Sequence, residues 1–548
     1  MMKLTVTLLS LSVAHLTPMV SAMPSHTRSS DSAVSTYADD MFNTAIEWND
    51  GFWDEEAGYL IAAASNDGRY DSRHSGWYAT QLLARNGPGD VARAVRIFDN
   101  VISGQWLDPS LQWYGDYQQS PSIPEPGTPE YVNGGPYSSW DPNIRDFVGC
   151  AWIMALNDYE HLLPAETVTK IEKSLHIAAK GDLYRVGGVD GDNLYPCYSN
   201  PWLMGTILVS WVGERLGDKN LTQSGERLAQ EFYDLWSQHH TLSEFNSPTY
   251  AGVSMWALSL WSKYAAEDSL LKKYAPEVLT TTWNDISQLY NANLKNLAGP
   301  WDRTYGYNMK DYTSLVGAVI WGAVGREYAP FPQWTSGMYH QDDFAFYPLF
   351  ALSMPEMLKY LSAESKSKFI QFPGEHFFTG QAYSPPFDTY SRNITTWMSE
   401  NITIGAETVA EHVIGGPAES TSAFSPAVIQ WAIDDYQIGC VSHWVSESSI
   451  HAVASPKTLN ISYPNATAAS YPVSFNFLFS GLNVRNGFNV TGLEGLPGLP
   501  LEVETNAAAN YSIVYDTDQT VNDFIFYNIT YTMPDDFTEE PYISLRVV

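Results

Sequence analysis

The sequence predicts an α+β multidomain protein, an (α/α)6-like helical toroid followed by an antiparallel β-sandwich domain. Three observations predict it. Apolar residues recur at intervals of three and four from residue 35 to about 365. The links between those helical segments alternate between tight turns and long loops. From about residue 366 the apolar period becomes two, punctuated by Gly, Pro and Asn.

The first residues read as an address. Lys3 precedes an apolar run over 4–16, broken by Pro18 and followed by the small-x-small pattern Val20-Ser21-Ala22. This predicts a signal peptide over 1–22, cleaved after Ala22, then a flexible segment over 23–34. No later stretch approaches the apolar length of a membrane span, so the mature chain is expected to be soluble and secreted.

Helical periodicity then marks 37–48, 77–83, 91–102, 144–163, 168–179, 203–216, 228–236, 253–264, 270–294, 315–324, 344–352 and 355–361. That is about six hairpins, the content of an (α/α)6 toroid. Short links near 86–89, 163–165 and 216–218 alternate with long ones near 49–73, 104–141, 181–198, 241–249 and 296–309. In an up-down toroid, alternate links share a rim, so one rim carries the loops that work. The link 326–342 is long out of turn, which predicts an irregular closure or one further helix there. The charged, Ser-rich stretch 363–368 marks the boundary between a catalytic domain over 35–365 and a β-domain over 366–548. In the latter, 473–477, 501–504, 512–515 and 524–532 read as strands.

Eight Asn-x-Ser/Thr sequons begin at Asn220, Asn393, Asn401, Asn460, Asn465, Asn489, Asn510 and Asn528. Seven fall in the last third, so N-glycans are expected mostly on the β-domain. Three cysteines allow one bridge, and Cys150–Cys197 is the expected pair because both lie in the helical region. The formal charge of −32 excludes nucleic acid and anionic membranes as partners. Aromatic residues make up 14% of the chain, an excess that suits a sugar-binding groove. No metal-ligand spacing, P-loop or dinucleotide fingerprint stands out, so no cofactor is expected.

Polar and aromatic clusters fall in the long links. They include Arg73-His74-Ser75-Gly76-Trp77-Tyr78, Trp113-Tyr114-Gly115-Asp116, Tyr198-Ser199-Asn200-Pro201, Glu244-Phe245-Asn246-Ser247 with Tyr250, and His340-Gln341-Asp342-Asp343. The one least explained as helix capping is Trp301-Asp302-Arg303-Thr304-Tyr305-Gly306-Tyr307. A guanidinium can hold a carboxylate bidentately, and a nearby phenol becomes a better base when a cation stabilises its phenolate. These are the parts needed to remove a proton α to a carboxylate. The candidate catalytic residues are therefore Arg303, Tyr305, Tyr307, Asn246, Tyr250, Asn200, Glu244 and His340. Trp77, Trp113, Tyr114, Tyr198 and Trp301 are the candidate sugar-stacking residues.

In domain order and in this Arg/Tyr cluster the chain resembles toroidal polysaccharide lyases of the alginate and glucuronan lyase type. The resemblance implies β-elimination on an extracellular uronate polysaccharide, with Tyr as base or acid and Asn neutralising the uronate. Asn200 and Asn246 would be that Asn, although Pro201 and Ser247 stand where such lyases often carry His. His74 or His340 would then supply the imidazole from another loop. Three other functions compete. An inverting glycoside hydrolase would need two carboxyl groups about 6.5–9.5 Å apart, from among Glu244, Asp302, Asp116 and Asp342. A dehydratase acting on a terpene alcohol would use Cys197 beside Tyr195 and Tyr198. A non-catalytic carbohydrate-binding protein would keep only the groove.

Overall fold

The computed structural model describes residues 33–63, 68–121, 123–128, 140–305, 308–310, 312–330, 340–411, 424–433, 437–470, 472–481, 492–521 and 524–548. Tyr307 and Asn489, and the side chain of Asn510, lie outside the described residues. Twelve α-helices lie among them. They are α1 (Ala33–Asp50), α2 (Ser72–Arg85), α3 (Asp90–Ser103), α4 (Ile144–Asp158), α5 (Ala165–Arg185) and α6 (Ser199–Leu216). Then come α7 (Lys219–Trp236), α8 (Tyr250–Tyr264), α9 (Leu270–Leu289), α10 (Leu315–Val324), α11 (Tyr347–Met357) and α12 (Ala363–Ile370).

The helices form two layers. The inner ones, α2, α4, α6, α8 and α11, contact one another in succession around the toroid. Helices α4, α6 and α8 bury nearly every residue from end to end. The outer helices α3 and α7 bury a single stripe, Ala94-Ile97-Phe98-Val101 in α3 and Leu221, Leu228, Ala229 and Phe232 in α7. Amphipathic periodicity therefore belongs to the outer layer, because an inner helix has protein on all sides. Caps fix several ends. Asp71 accepts from the His74 N–H at α2, and the Asp218 side chain accepts from the N–H groups of Asn220 and Leu221 at α7.

The long link 326–342, expected to hold an irregular closure or one further helix, lies partly outside the described residues, at 331–339. Leu315 at the start of α10 and His340 and Asp343 just before α11 line the same cleft. Both helices therefore begin at one rim. The predicted helix over 355–361 is the end of α11 followed by the 3-10 turn Leu358–Tyr360. The stretch 363–368, read as the boundary, is helical and belongs to α12, capped by Ser362 through the Ser365 N–H. The expected disulfide is absent: Cys150, Cys197 and Cys440 are free, buried thiols, and Cys150 donates to the Met204 carbonyl.

Among the described residues seventeen strands complete the fold. Within the helical domain, β1 (Trp53–Asp54), β2 (Tyr59–Ile61) and β3 (Tyr70–Asp71) form one small sheet, and β4 (Tyr290–Asn291) pairs with β5 (Asn296–Leu297). The β-domain holds β6 (His376–Ala382), β7 (Arg392–Met398), β8 (Ile402–Thr408), β9 (Ala427–Ala432), β10 (Ile438–Val445) and β11 (His451–Ser455). It continues with β12 (Thr458–Ser462), β13 (Ser474–Gly481), β14 (Leu501–Thr505), β15 (Ala508–Val521), β16 (Phe524–Thr532) and β17 (Tyr542–Val547). An antiparallel sheet of eight strands runs β15-β16-β13-β10-β9-β8-β7-β6, and a second of four runs β11-β12-β17-β14. Ile404, Ile429 and Val441 of the large sheet share a core with Leu459, Ile461 and Leu545 of the small one.

The other face of the large sheet packs on the toroid. Val428, Cys440 and Leu478 surround Trp301, which also exchanges backbone hydrogen bonds with Ser425. Gly405 marks the closest approach, where an added Cβ would stand 1.7 Å from the Gly299 carbonyl oxygen. Arg392 on β7 is buried in ion pairs with Asp388 and Glu407 and donates to the Ser243 carbonyl at 2.9 Å. The β-domain thus braces two links of the toroid, 237–249 and 290–314.

Candidate active site

A cleft of about 330 Å³ opens on the rim of long links. It is built where five helices begin. Arg73 lies in the first turn of α2, Asn143 precedes α4, Asn200 opens α6, Tyr250 opens α8 and Leu315 opens α10, and all five line it. Converging helix N-termini place partial positive charge at the cleft and favour an anionic group there.

Arg303 is the hub. Its backbone is left-handed, at φ 49°, a conformation in which non-glycine residues are uncommon. Its Nη1 donates to Glu244 Oε1 at 2.8 Å and its Nη2 to the Tyr305 hydroxyl at 3.3 Å. The guanidinium lies over the Tyr250 ring, 3.6 Å from its centroid, and 5.2 Å from that of Tyr198. Glu244 is buried, and its other oxygen accepts from the Asn200 backbone N–H at 3.0 Å and from Asn200 Nδ2 at 2.8 Å. The ion pair that holds Arg303 is therefore with Glu244 and not with its neighbour Asp302.

Two phenols meet beside it. The Tyr250 and Tyr305 hydroxyls share a short hydrogen bond. Loss of solvation pushes the Tyr250 phenol well above its usual range, against the opposing pull of Arg303. The His340 ring stacks on Tyr305 with centroids 3.8 Å apart, and its Nδ1 lies 3.2 Å from Asp343 Oδ2. A phenol that stays protonated, a second phenol touching a cation, and an imidazole over it can together take up and return a proton.

Several expected residues lie elsewhere. Asn246 does not line the cleft. It too is left-handed, at φ 58°, and its Nδ2 donates to the carbonyls of Ala298 and Pro300, so its amide holds the turn that precedes Arg303. Trp301 is buried against the β-domain and is no sugar platform. Trp113 packs on Trp140, and Tyr114 uses its carbonyl to accept from Arg145; neither lines the cleft. Trp77 does form part of the wall, but it is buried and stacked on Phe346 at 4.2 Å. Tyr198 lines the cleft beneath Arg303. His74 is buried behind it against Asp71.

The carboxylates weighed for hydrolysis are also displaced. Asp116 is buried beside Arg145, and desolvation pushes it up to about 7. Asp302 is buried with neither oxygen hydrogen-bonded, and its carboxyl is pushed well above the usual range by desolvation. Asp342 is not among the lining residues.

Sequence reasoning missed four residues of the cleft wall: Arg73, Asp141, Asn143 and Asp343 as functional groups. Arg73 donates to Asp141 at 3.4 Å over the Trp77 and Phe147 rings. Asn143 is oriented from below by the buried Arg185, which donates to its Oδ1 at 2.7 Å and is itself held by Asp146, Asp182 and Asp192. Its Nδ2 points to the Tyr198 hydroxyl at 3.4 Å. The available signal was position, since Arg73 and Asn143 stand at helix starts after long links.

A family model described as "Domain of unknown function (DUF8769)" matches residues 39–355, more than half of the chain. A second, "Domain of unknown function (DUF8770)", matches residues 374–548. No curated protein matches. Among solved structures, heparinase III is similar at TM-score 0.36 and 9% identity, over 94% of this chain and 85% of that one. The chondroitin AC lyase of Streptomyces coelicolor A3, in complex with chondroitin sulphate, is similar at TM-score 0.38 and 10% identity, over 95% and 80%. Endoglucanase CelQ from Clostridium thermocellum stands at TM-score 0.25 and 11% identity, over 93% and 92%. These likenesses are too distant to carry an argument about chemistry.

Proposed function

This chain belongs to the DUF8769 family, and we propose that it is a secreted lyase cleaving a uronate-containing polysaccharide by β-elimination. One observation carries the reading: the Tyr250 and Tyr305 hydroxyls are hydrogen-bonded to each other in an open cleft, with Arg303 on both phenols.

The chemistry needs a base for the C5 proton and an acid for the leaving oxygen. Tyr305, whose hydroxyl oxygen accepts from Arg303 Nη2 at 3.3 Å, takes the C5 proton. The C5–H electrons form the C4–C5 double bond, and the C4–O bond breaks onto the leaving oxygen. Tyr250, kept protonated by its surroundings, donates to that oxygen. The hydrogen bond between the two phenols then returns the proton from Tyr305 to Tyr250. No water is consumed. The carboxylates at the cleft are already engaged, Glu244 with Arg303, Asp141 with Arg73 and Asp343 with His340.

The test is the ultraviolet absorbance of an unsaturated uronate product on glucuronan, alginate and pectin. New reducing ends without that absorbance would replace elimination by hydrolysis. Export and glycosylation belong to the same proposal. The sequon residues Asn220, Asn393, Asn401, Asn460 and Asn465 are exposed, as a glycan requires. Glycosidase treatment of the chain expressed in a eukaryotic host should increase its mobility, and an unchanged mobility would remove the glycans.

A further inference from the structure

Two guanidiniums face the cleft, and they are not equivalent. Arg303 is engaged on both terminal nitrogens, one with Glu244 and the other with Tyr305, and its plane is stacked on Tyr250. Arg73 makes one long side-chain hydrogen bond among the described residues, 3.4 Å to Asp141, and its Nε has no partner. Its side chain is 25% exposed, against 11% for Arg303. Arg73 is thus the cation with capacity left for a ligand.

The charge balance around it is unusual for a polyanion site. Arg73 and Arg303 face three carboxylates, Asp141, Asp343 and Glu244. Even a protonated His340 brings that balance only to zero. Within the helical domain, the undescribed stretches 64–67, 122, 129–139, 306–307, 311 and 331–339 contain acidic residues and no Lys or Arg. The chain as a whole carries −32. A run of uronates or sulfates would meet repulsion beyond the one carboxylate that Arg73 and the helix N-termini neutralise.

We propose that Arg73 is the uronate-recognising residue and that the cleft accepts one carboxylate at a time. The substrate is then an unsulfated chain in which single 4-linked uronates alternate with neutral sugars. This rests on the lyase reading above and narrows it.

The full-length protein is assayed by unsaturated-uronate absorbance on three polymers across a range of salt. They are a chain with one 4-linked uronate per repeat of neutral sugars, a homopolyuronate and a sulfated uronate polymer. The expected kcat/KM is highest on the first, by about tenfold or more, and changes less than about twofold with salt, because one shielded contact is weakly screened. Arg73→Gln should raise KM on that polymer by about 10- to 100-fold, the worth of a charge-assisted hydrogen bond, with a smaller change in kcat. Binding of the same polymer after carboxyl reduction should be equal in wild type and Arg73→Gln, which separates recognition from misfolding. Preference for the homopolyuronate or the sulfated polymer, with a rate falling steeply in salt, would overturn the proposal while sparing the lyase reading. So would an unchanged KM in Arg73→Gln, or equal loss of binding to the reduced chain. Absorbance on none of the three would sink both.

Discussion

Tyr250 and Tyr305 lie 55 positions apart in the chain and touch through their hydroxyls. If they move the proton, Tyr250→Phe and Tyr305→Phe should each lower kcat by about 10²- to 10⁴-fold, with KM little changed, in the absorbance assay. A loss confined to KM would make them binding residues. Arg303→Lys should also be damaging, because an ammonium cannot hold Glu244, reach Tyr305 and stack on Tyr250 together. Arg303 and Tyr305 were legible in the sequence as an Arg/Tyr cluster in one long link, and Tyr250 as part of the Glu244–Ser247 cluster in another. Asn246 was legible as a special residue for the wrong reason, since local sequence does not tell a turn clamp from a ligand.

Asn246 shapes the element that presents Arg303. Its left-handed backbone and its two hydrogen bonds to the Ala298 and Pro300 carbonyls tie the link before α8 to the link before α10. Asn246→Ala should lower stability by about 1–3 kcal/mol, since buried carbonyls lose their donor. Asn246→Gly, which tolerates the positive φ, should lose less than Asn246→Ala. Denaturant unfolding of the two variants checks the order; the reverse order would mean the backbone is not strained there. The strands β6 to β12 and β17 were not read in the sequence, and for β8, β9 and β10 the cause is physical. These three are buried on both faces, between the small sheet and the toroid, so they lack the alternation that marks β13.

At the scale of the molecule, the two domains are joined through Trp301 and through buried charge. Gly405→Ala should force the large sheet away from the Gly299 carbonyl, and limited proteolysis should then cut the links 237–249 and 290–314 faster than in the wild type. Buried carboxyls make stability depend on pH. Asp116 is pushed up to about 7 by desolvation and Glu407 to about 6 by the same cause, above the unfolded values near 4. Between those limits the folded state binds more protons than the unfolded one. Their contribution is therefore complete below about pH 4 and is lost as pH rises through 6 to 7. The unfolding temperature should be higher at pH 5 than at pH 8, and Asp116→Asn should flatten that dependence. An unchanged slope in the variant would place the effect elsewhere, in the self-repulsion of a chain with net charge −32.

The sequence by itself determined the class of the fold, the helices α1 to α11 and the rim that carries the long links. Apolar periodicity and link length are local quantities, and outer helices such as α3 and α7 display them directly. Only the tertiary structure decided which of the long-link residues meet. Glu244 pairs with Arg303 across 59 positions, Asn143 turns toward the cleft because Arg185 grips its oxygen, and Trp301 is spent on the β-domain. Those outcomes depend on how separate helices are arranged around the toroid, and a chain read in order carries no distance between its own distant parts.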